Sequence, residues 1–218
     1  MHTKSRTWVA VLTAVATFFL ILTASIGLPI YIRPFYYAHI DAMHLAETSG
    51  YTEAEIRESY DQVLDYLTIP GREFGTGVMP YSESGASHFE DCRKLFFLNG
   101  GVLLASGSVM LLLQIRKRKH GKTELAGFSG SFWGGAGAVV LPVVLGGLAA
   151  LDFDRAFVVF HSIFFPGKDN WIFDYNADQI IRVLPQDFFM HCAMLIGAGI
   201  LVFSGVVIMW EFRNRKRR

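Results

Sequence analysis

Cysteine is scarce: Cys92 and Cys192 are the only two among 218 residues, too few for a disulfide framework. No CxxC pair, HExxH, glycine-rich phosphate loop or GxSxG occurs either, which argues against the familiar zinc peptidases, nucleotide-dependent enzymes and serine hydrolases. Charge is thin, at 18% of residues with a net of +1, and no basic stretch is interleaved with aromatics. That argues against a nucleic-acid partner. What fills the chain is apolar: 52% of residues are hydrophobic and 14% aromatic, with a mean hydropathy of +0.34. Such a composition does not belong to a disordered chain.

Four uncharged apolar runs, 8–32, 95–115, 128–151 and 188–210, reach the roughly 20 residues that a helix needs to cross about 30 Å of hydrocarbon. The first follows Lys4 and Arg6. It is longer than the roughly 7 to 15 apolar residues of a secretory signal core, so it reads as a retained anchor. Twelve of the 20 Lys and Arg lie in 1–7, 116–127 and 211–218, whereas 17 of the 19 Asp and Glu lie in 33–94 and 152–187. The positive-inside rule puts the basic segments and both termini in the cytoplasm and the acidic segments outside.

The fold expected is all-α: one integral membrane domain over 1–218, a four-helix bundle with an irregular extracytoplasmic cap containing short helices and short strands. Within the spans, Gly130, Gly134, Gly137, Gly197 and Gly205 predict close helix contacts, and Pro142 predicts a bend. No charged residue or histidine lies deep in any span, which argues against a proton or ion pathway.

Any chemistry then falls to the outward segments. Arg33 and Tyr36 belong to an aromatic and cationic run suited to the headgroup layer, as anchors or as substrate contacts. Thr52 and Glu55 form a capping-box pattern, followed by Ile56, Tyr60, Val63, Leu64 and Leu67 on one helical face. That helix should end near Ile69-Pro70-Gly71, and 72–87 reads as loops or short strands. Aromatic spacing from Asp152 to Phe165 predicts a helix along the membrane surface. Trp171 reads as an interfacial anchor or a substrate contact.

Seven histidines remain to be placed. His2 and His120 lie in basic flanks, and His39, His44 and His191 read as surface or capping residues. His88 and His161 stand apart, because each lies among aromatics at the predicted outer boundary on a different segment, with Asp91 one helical turn from His88. An imidazole with a pKa near 6.5 accepts and returns a proton at ordinary pH, as acyl transfer between oxygen and nitrogen requires. Passive anchoring is the alternative for both.

The run Ser82-x-Ser84-Gly85-x-x-His88-Phe89-x-Asp91 ahead of a span, then His161-x-x-x-Phe165, Asn170-Trp171-Ile172-Phe173-Asp174 and Leu184-Pro185-x-x-Phe188-Phe189, resembles the lipoprotein intramolecular transacylases. The resemblance, which covers nearly the whole chain, implies a multi-pass enzyme of the bacterial cytoplasmic membrane with its active site at the outer leaflet. The reaction implied moves the sn-2 acyl chain of a diacylglyceryl-modified N-terminal cysteine onto that cysteine's α-amino group, giving lyso-form lipoprotein. His88 and His161 would be the catalytic pair, with His161 as base and His88 as acid or the reverse, and Asp91 and Asp174 would orient or support them. No metal, nucleotide or other cofactor is expected, and the partners are diacylglyceryl-modified lipoproteins and membrane lipid, met by a monomer.

Two other readings compete. One is a non-enzymatic lipid-binding or assembly protein of the membrane, which would tolerate alanine at both His88 and His161. The other is a metal-dependent hydrolase holding its ion with His88, Asp91, His161 and Asp174, which chelation would silence.

Overall fold

The computed structural model describes residues 2–121 and 123–216, with side chains from Thr7 onward except that of His120. Lys122, Arg217 and Arg218 of the basic segments lie outside the described residues, as do the side chains of His2, Lys4 and Arg6. Among the described residues four helices are long and apolar enough to cross a membrane, making this an all-α, multi-pass membrane protein. They are α1 (His2–Tyr31), α5 (Glu83–His120), α6 (Gly130–Leu151) and α8 (Gln186–Lys216). Between them come α2 (Arg33–Ala42), α3 (Leu45–Ser49), α4 (Glu53–Thr68), α7 (Phe153–Phe164) and a 3-10 turn at Gln179–Arg182.

Two strands, β1 (Glu124–Leu125) and β2 (Phe128–Ser129), pair antiparallel in the α5–α6 connection. Ala126 at φ 47° and Gly127 at φ 79° make the tight turn between them. Residues 72–82 are irregular, with no strand. α5 begins well before the predicted span, because the charged stretch from Glu83 to Lys94 is invisible to a search for uncharged runs yet is helical. Pro34 in the first turn starts α2, using the fixed φ that suits that position.

Contacts divide the chain into two compact units: 1–28, 99–151 and 194–218 in one, 29–98 and 152–193 in the other. The first unit has a thin core of Ile21, Ala138 and Ile200, packed by Phe18, Leu22, Ile196, Phe203 and Val207. Most other apolar side chains, Leu104, Leu111, Leu112 and Leu148 among them, point outward, as suits a helix surrounded by lipid. Gly130 and Gly134 lie against the α1 carbonyls of Ala10 and Ala14, where a Cβ would collide. The predicted close approach holds at these two, whereas Gly205 has open space. Gly199 is also tightly approached, by the Leu28 and Ser25 side chains rather than by backbone. Thr13, Thr23 and Ser25 donate to carbonyls four residues earlier, so these hydroxyls need no outside partner.

The second unit carries a denser core. α4 starts at the predicted capping box, with Thr52 accepting from the Glu55 amide and Glu55 returning a bond to the Thr52 amide. Its face of Ile56, Tyr60, Val63, Leu64 and Leu67 is buried, as the 3.6-residue period requires. Tyr36 of α2 stacks on Tyr60 with centroids 3.7 Å apart, and its hydroxyl donates to the Val183 carbonyl at 2.8 Å. The large ring is thereby buried with its one polar atom satisfied. Arg33 pairs with Asp61 at 2.8 Å and with Asp65, and the Tyr37 hydroxyl also donates to Asp61. Burial opposes the charge on Arg33, but these two carboxylates outweigh it and raise the guanidinium's proton affinity. Arg33 and Tyr36 therefore tie α2 to α4 and to the 3-10 turn.

Candidate active site

The start of α5 sets the position of His88. Ser82 caps the helix, its hydroxyl accepting from the Gly85 amide at 2.9 Å. Asp178, almost fully buried, accepts from the Ser82 amide at 2.7 Å and from its hydroxyl at 2.8 Å. The chain reaches Asp178 through a turn that Asp174 makes, its carboxylate accepting from the Asn176 amide at 2.7 Å. Gly85 passes so close to the Asp178 carboxylate that a Cβ would overlap it. Asp174 shapes the loop whose Asp178 grips the first turn of α5.

His161 arrives on α7. Asp152 caps that helix by accepting from the Arg155 amide at 2.9 Å, and His161 falls in its last turn. Gly167, at φ 72°, supplies the left-handed backbone that turns the chain after Phe165. Trp171 then folds back, its indole N–H donating to the Lys168 carbonyl at 3.1 Å, and stacks on the His161 ring with centroids 4.6 Å apart.

His88 and His161 come together with ring centroids 5.8 Å apart. Both are buried, at 6% and 7% exposed, in a box of aromatic rings. Phe165 meets His88 edge-on at 4.8 Å, Phe173 does so at 5.5 Å, and Phe157 packs on His161 at 4.3 Å. Trp171 is thus a wall of this box.

A hydrogen bond assigns the ring proton of His161. The Nδ1 atom of His161 lies 2.8 Å from the Phe157 carbonyl, which can only accept, so Nδ1 carries the proton and Nε2 keeps its lone pair. The Nε2 atom of His88 lies 3.3 Å from the Cys92 sulfur, while its Nδ1 is buried without a hydrogen-bond partner. Burial pushes the Cys92 thiol up to about 12, with the neighbouring Asp91 charge adding to the effect. This thiol stays protonated and is a poor nucleophile. Cys92 and Cys192 are both free.

The Asp91 side chain is held by donors other than the His88 imidazole. Its carboxylate accepts from Lys168 at 2.5 Å, Asn170 at 3.2 Å and Lys94 at 3.3 Å. Burial works to raise its pKa, but these donors win and hold it at about 2. Sequence spacing alone pairs Asp91 with His88. A carboxylate instead takes the ammonium of Lys168, because a charge-assisted bond is stronger than one to a neutral ring. Asp91 thereby fastens the loop after α7 onto α5, which holds the two histidine-bearing segments together.

Burial lowers the pKa of both histidines, and for His88 the proximity of His161 lowers it further, to about 4 against an ordinary 6.5. Both are neutral near pH 7. The folded state therefore binds fewer protons than the unfolded chain once pH drops below 6.5. The stability gained from keeping the rings neutral is complete above that value and declines as pH falls toward about 4. Thermal unfolding in detergent is expected to track this window, with His88→Phe flattening it. An unchanged pH slope in that variant would contradict a buried, neutral His88.

Two features escaped the sequence reading. His39 and His191 form a second pair, Nε2 to Nδ1 at 3.1 Å, with the His39 Nδ1 donating to the Phe35 carbonyl at 2.7 Å. Asn170 bridges Asp91 and the Ser87 hydroxyl. Both link positions far apart in the chain, and no local pattern marks them. Among the described residues no group of three or more His, Cys, Asp or Glu is placed to hold a metal ion. Asp91 is occupied by cations and Asp174 by its own turn.

Comparison with known proteins sets this geometry in a lineage. The membrane integral lipoprotein intramolecular transacylase Lit of Bacillus cereus has the same fold, with a TM-score of 0.89 at 24% identity over 99% of both chains. A form of that enzyme with one histidine replaced by arginine aligns at a TM-score of 0.83 and 24% identity, over 99% of this chain and 94% of the other. A form with alanine there gives 0.83 at 23%, over 100% and 98%. No curated protein sequence matches significantly. A family model described as lipoprotein intramolecular transacylase Lit matches residues 11–189. Since that match spans most of the sequence, the chain belongs to the lipoprotein intramolecular transacylase family of membrane acyltransferases.

Proposed function

We propose that this protein transfers the sn-2 acyl chain of a diacylglyceryl-modified N-terminal cysteine to that cysteine's own α-amino group, with His88 and His161 as the catalytic residues. The observation that carries the reading is the meeting of two buried, neutral imidazoles from separate segments, 5.8 Å apart and walled by aromatics. Charge distribution supports a site on the extracytoplasmic side, since both segments that form it lack the basic clusters of the rest of the chain.

The substrate amine is an ammonium at neutral pH, with a pKa near 7.7 to 8.0, and cannot attack an ester until it loses a proton. His161 takes that proton on Nε2, the nitrogen that its bond to Phe157 leaves free. The amine then attacks the sn-2 ester carbon within the same molecule. His88 accepts the second nitrogen-bound proton on Nε2 and delivers it to the glycerol oxygen as the C–O bond breaks, leaving one hydrogen on the new amide. An imidazolium with the low pKa of His88 is a strong donor for that step. Because ester and amine share one molecule, positioning supplies much of the rate.

The test is incubation of purified protein with a synthetic diacylglyceryl-cysteinyl lipopeptide, followed by fragmentation of the product. An acyl group on the α-nitrogen at unchanged total mass is expected, and unaltered lipopeptide from folded protein would refute the reading. The scheme uses no metal, so a chelator is expected to leave the rate unchanged; its loss would favour the metal-dependent alternative.

A further inference from the structure

The side chain of Asn170 lies between the two histidine-bearing segments with one end satisfied and the other not. Its Nδ2 donates to Asp91 at 3.2 Å and to Ser87 at 3.3 Å. Asp91 is a carboxylate and only accepts, so the nitrogen must face it and the amide orientation is fixed. The opposite end, Oδ1, is buried with no hydrogen-bond partner. Nδ1 of His88 is buried and unpaired as well. Two such orphans, an acceptor and a ring nitrogen able to donate, each carry a desolvation cost that pairing removes.

We propose that Asn170 is the positioning residue of His88: its Oδ1 accepts the Nδ1 proton, which fixes the ring and leaves Nε2 unprotonated, its lone pair held by the Cys92 thiol until a substrate proton takes the thiol's place. Cys92 agrees with this assignment, because a protonated thiol 3.3 Å from Nε2 has its proton to donate there. The Asn170 side chain also raises the proton affinity of His88, against the larger lowering by burial. The other titratable or charged groups facing His88 are His161, Asp91, Lys168 and the Cys92 thiol. Asp91, by holding the Asn170 nitrogen, acts on His88 through the amide.

The inference rests on the proposed function for the use of His88, but the tautomer is readable without any turnover. In the wild-type protein, 15N NMR of the His88 ring, assigned by its loss in His88→Gln, should show a protonated Nδ1 and an unprotonated Nε2 near pH 7. The opposite tautomer would overturn the proposal even if the enzyme were fully active. Two variants then separate positioning from loop anchoring. Asn170→Asp keeps an acceptor and loses the Nδ2 donors, whereas Asn170→Ala loses both. Positioning predicts that alanine lowers kcat by about 10- to 100-fold with KM unchanged. Aspartate should retain more activity and move the acid limb of the pH profile upward, since a carboxylate stabilises the imidazolium. Equal losses in both variants, with the pH profile unmoved, would leave Asn170 as a loop anchor and refute the proposal.

Discussion

Replacing His161 with alanine is expected to lower acyl transfer by about 10² to 10⁴-fold, the range of a general base, while the protein still inserts and folds. The ring is held by the Phe157 carbonyl at one nitrogen and by stacking on Trp171, so its removal opens space without stranding a charge. The loss should fall on kcat, because the role proposed for the ring is to handle a proton, not to bind the lipid chains. Raising pH into the range where the substrate amine is already free should restore part of the rate, since the base is then less needed. His88→Ala should lose as much without that recovery at high pH, because the departing oxygen still needs a proton. Rates across pH 6 to 9, measured on lipopeptide in detergent, decide the matter. Identical pH profiles for the two variants would contradict the division of labour.

Gly85→Val is expected to be the most damaging single change to the fold of the second unit. A Cβ here overlaps the Asp178 carboxylate and comes within 3.2 Å of Phe173. Asp178 is 2% exposed and cannot move aside without releasing the Ser82 amide and hydroxyl. Overpacking alone costs about 1 to 3 kcal/mol, and each lost bond to a charged acceptor adds about 1.5 to 3. Unfolding should occur at a markedly lower temperature, with activity falling too, because the first turn of α5 sets where His88 points. Gly101→Ala is the control, since a Cβ there meets nothing within 4 Å and a helical alanine is favoured over glycine. Equal stability of the two variants would show that Asp178 is not confined.

The spans were legible because uncharged apolar length is a local property, and the capping box of α4 was legible for the same reason. The true start of α5 was hidden: Ser82, Ser84 and Gly85 read as turn formers, although Ser82 is the cap and Gly85 is required by the carboxylate it passes. The strand pair lies between α5 and α6 because two residues of positive φ close a turn there, a feature with no periodicity to detect. His88 and His161 could be singled out by their aromatic neighbours. Their partners could not, since Lys168 and Asn170 reach Asp91 from 77 and 79 positions away. Sequence spacing ties Asp91 to His88, while charge sends it to Lys168. Arg33 shows the same limit from the other side, because a cation in an aromatic run resembles a headgroup contact until Asp61 and Asp65 are seen around it.

The central claim is an intramolecular shift of the sn-2 chain carried out by two histidines. It is tested most directly with a lipopeptide bearing different acyl chains at sn-1 and sn-2, mixed with a fully isotope-labelled copy and treated with wild type and with a His88→Ala, His161→Ala double variant. Fragmentation of the wild-type products should show only the sn-2 chain on the α-nitrogen, with labelled chains confined to labelled peptide, and the double variant should return the starting material. Scrambled labels, an sn-1 chain on nitrogen, or undiminished transfer by the double variant would contradict the account.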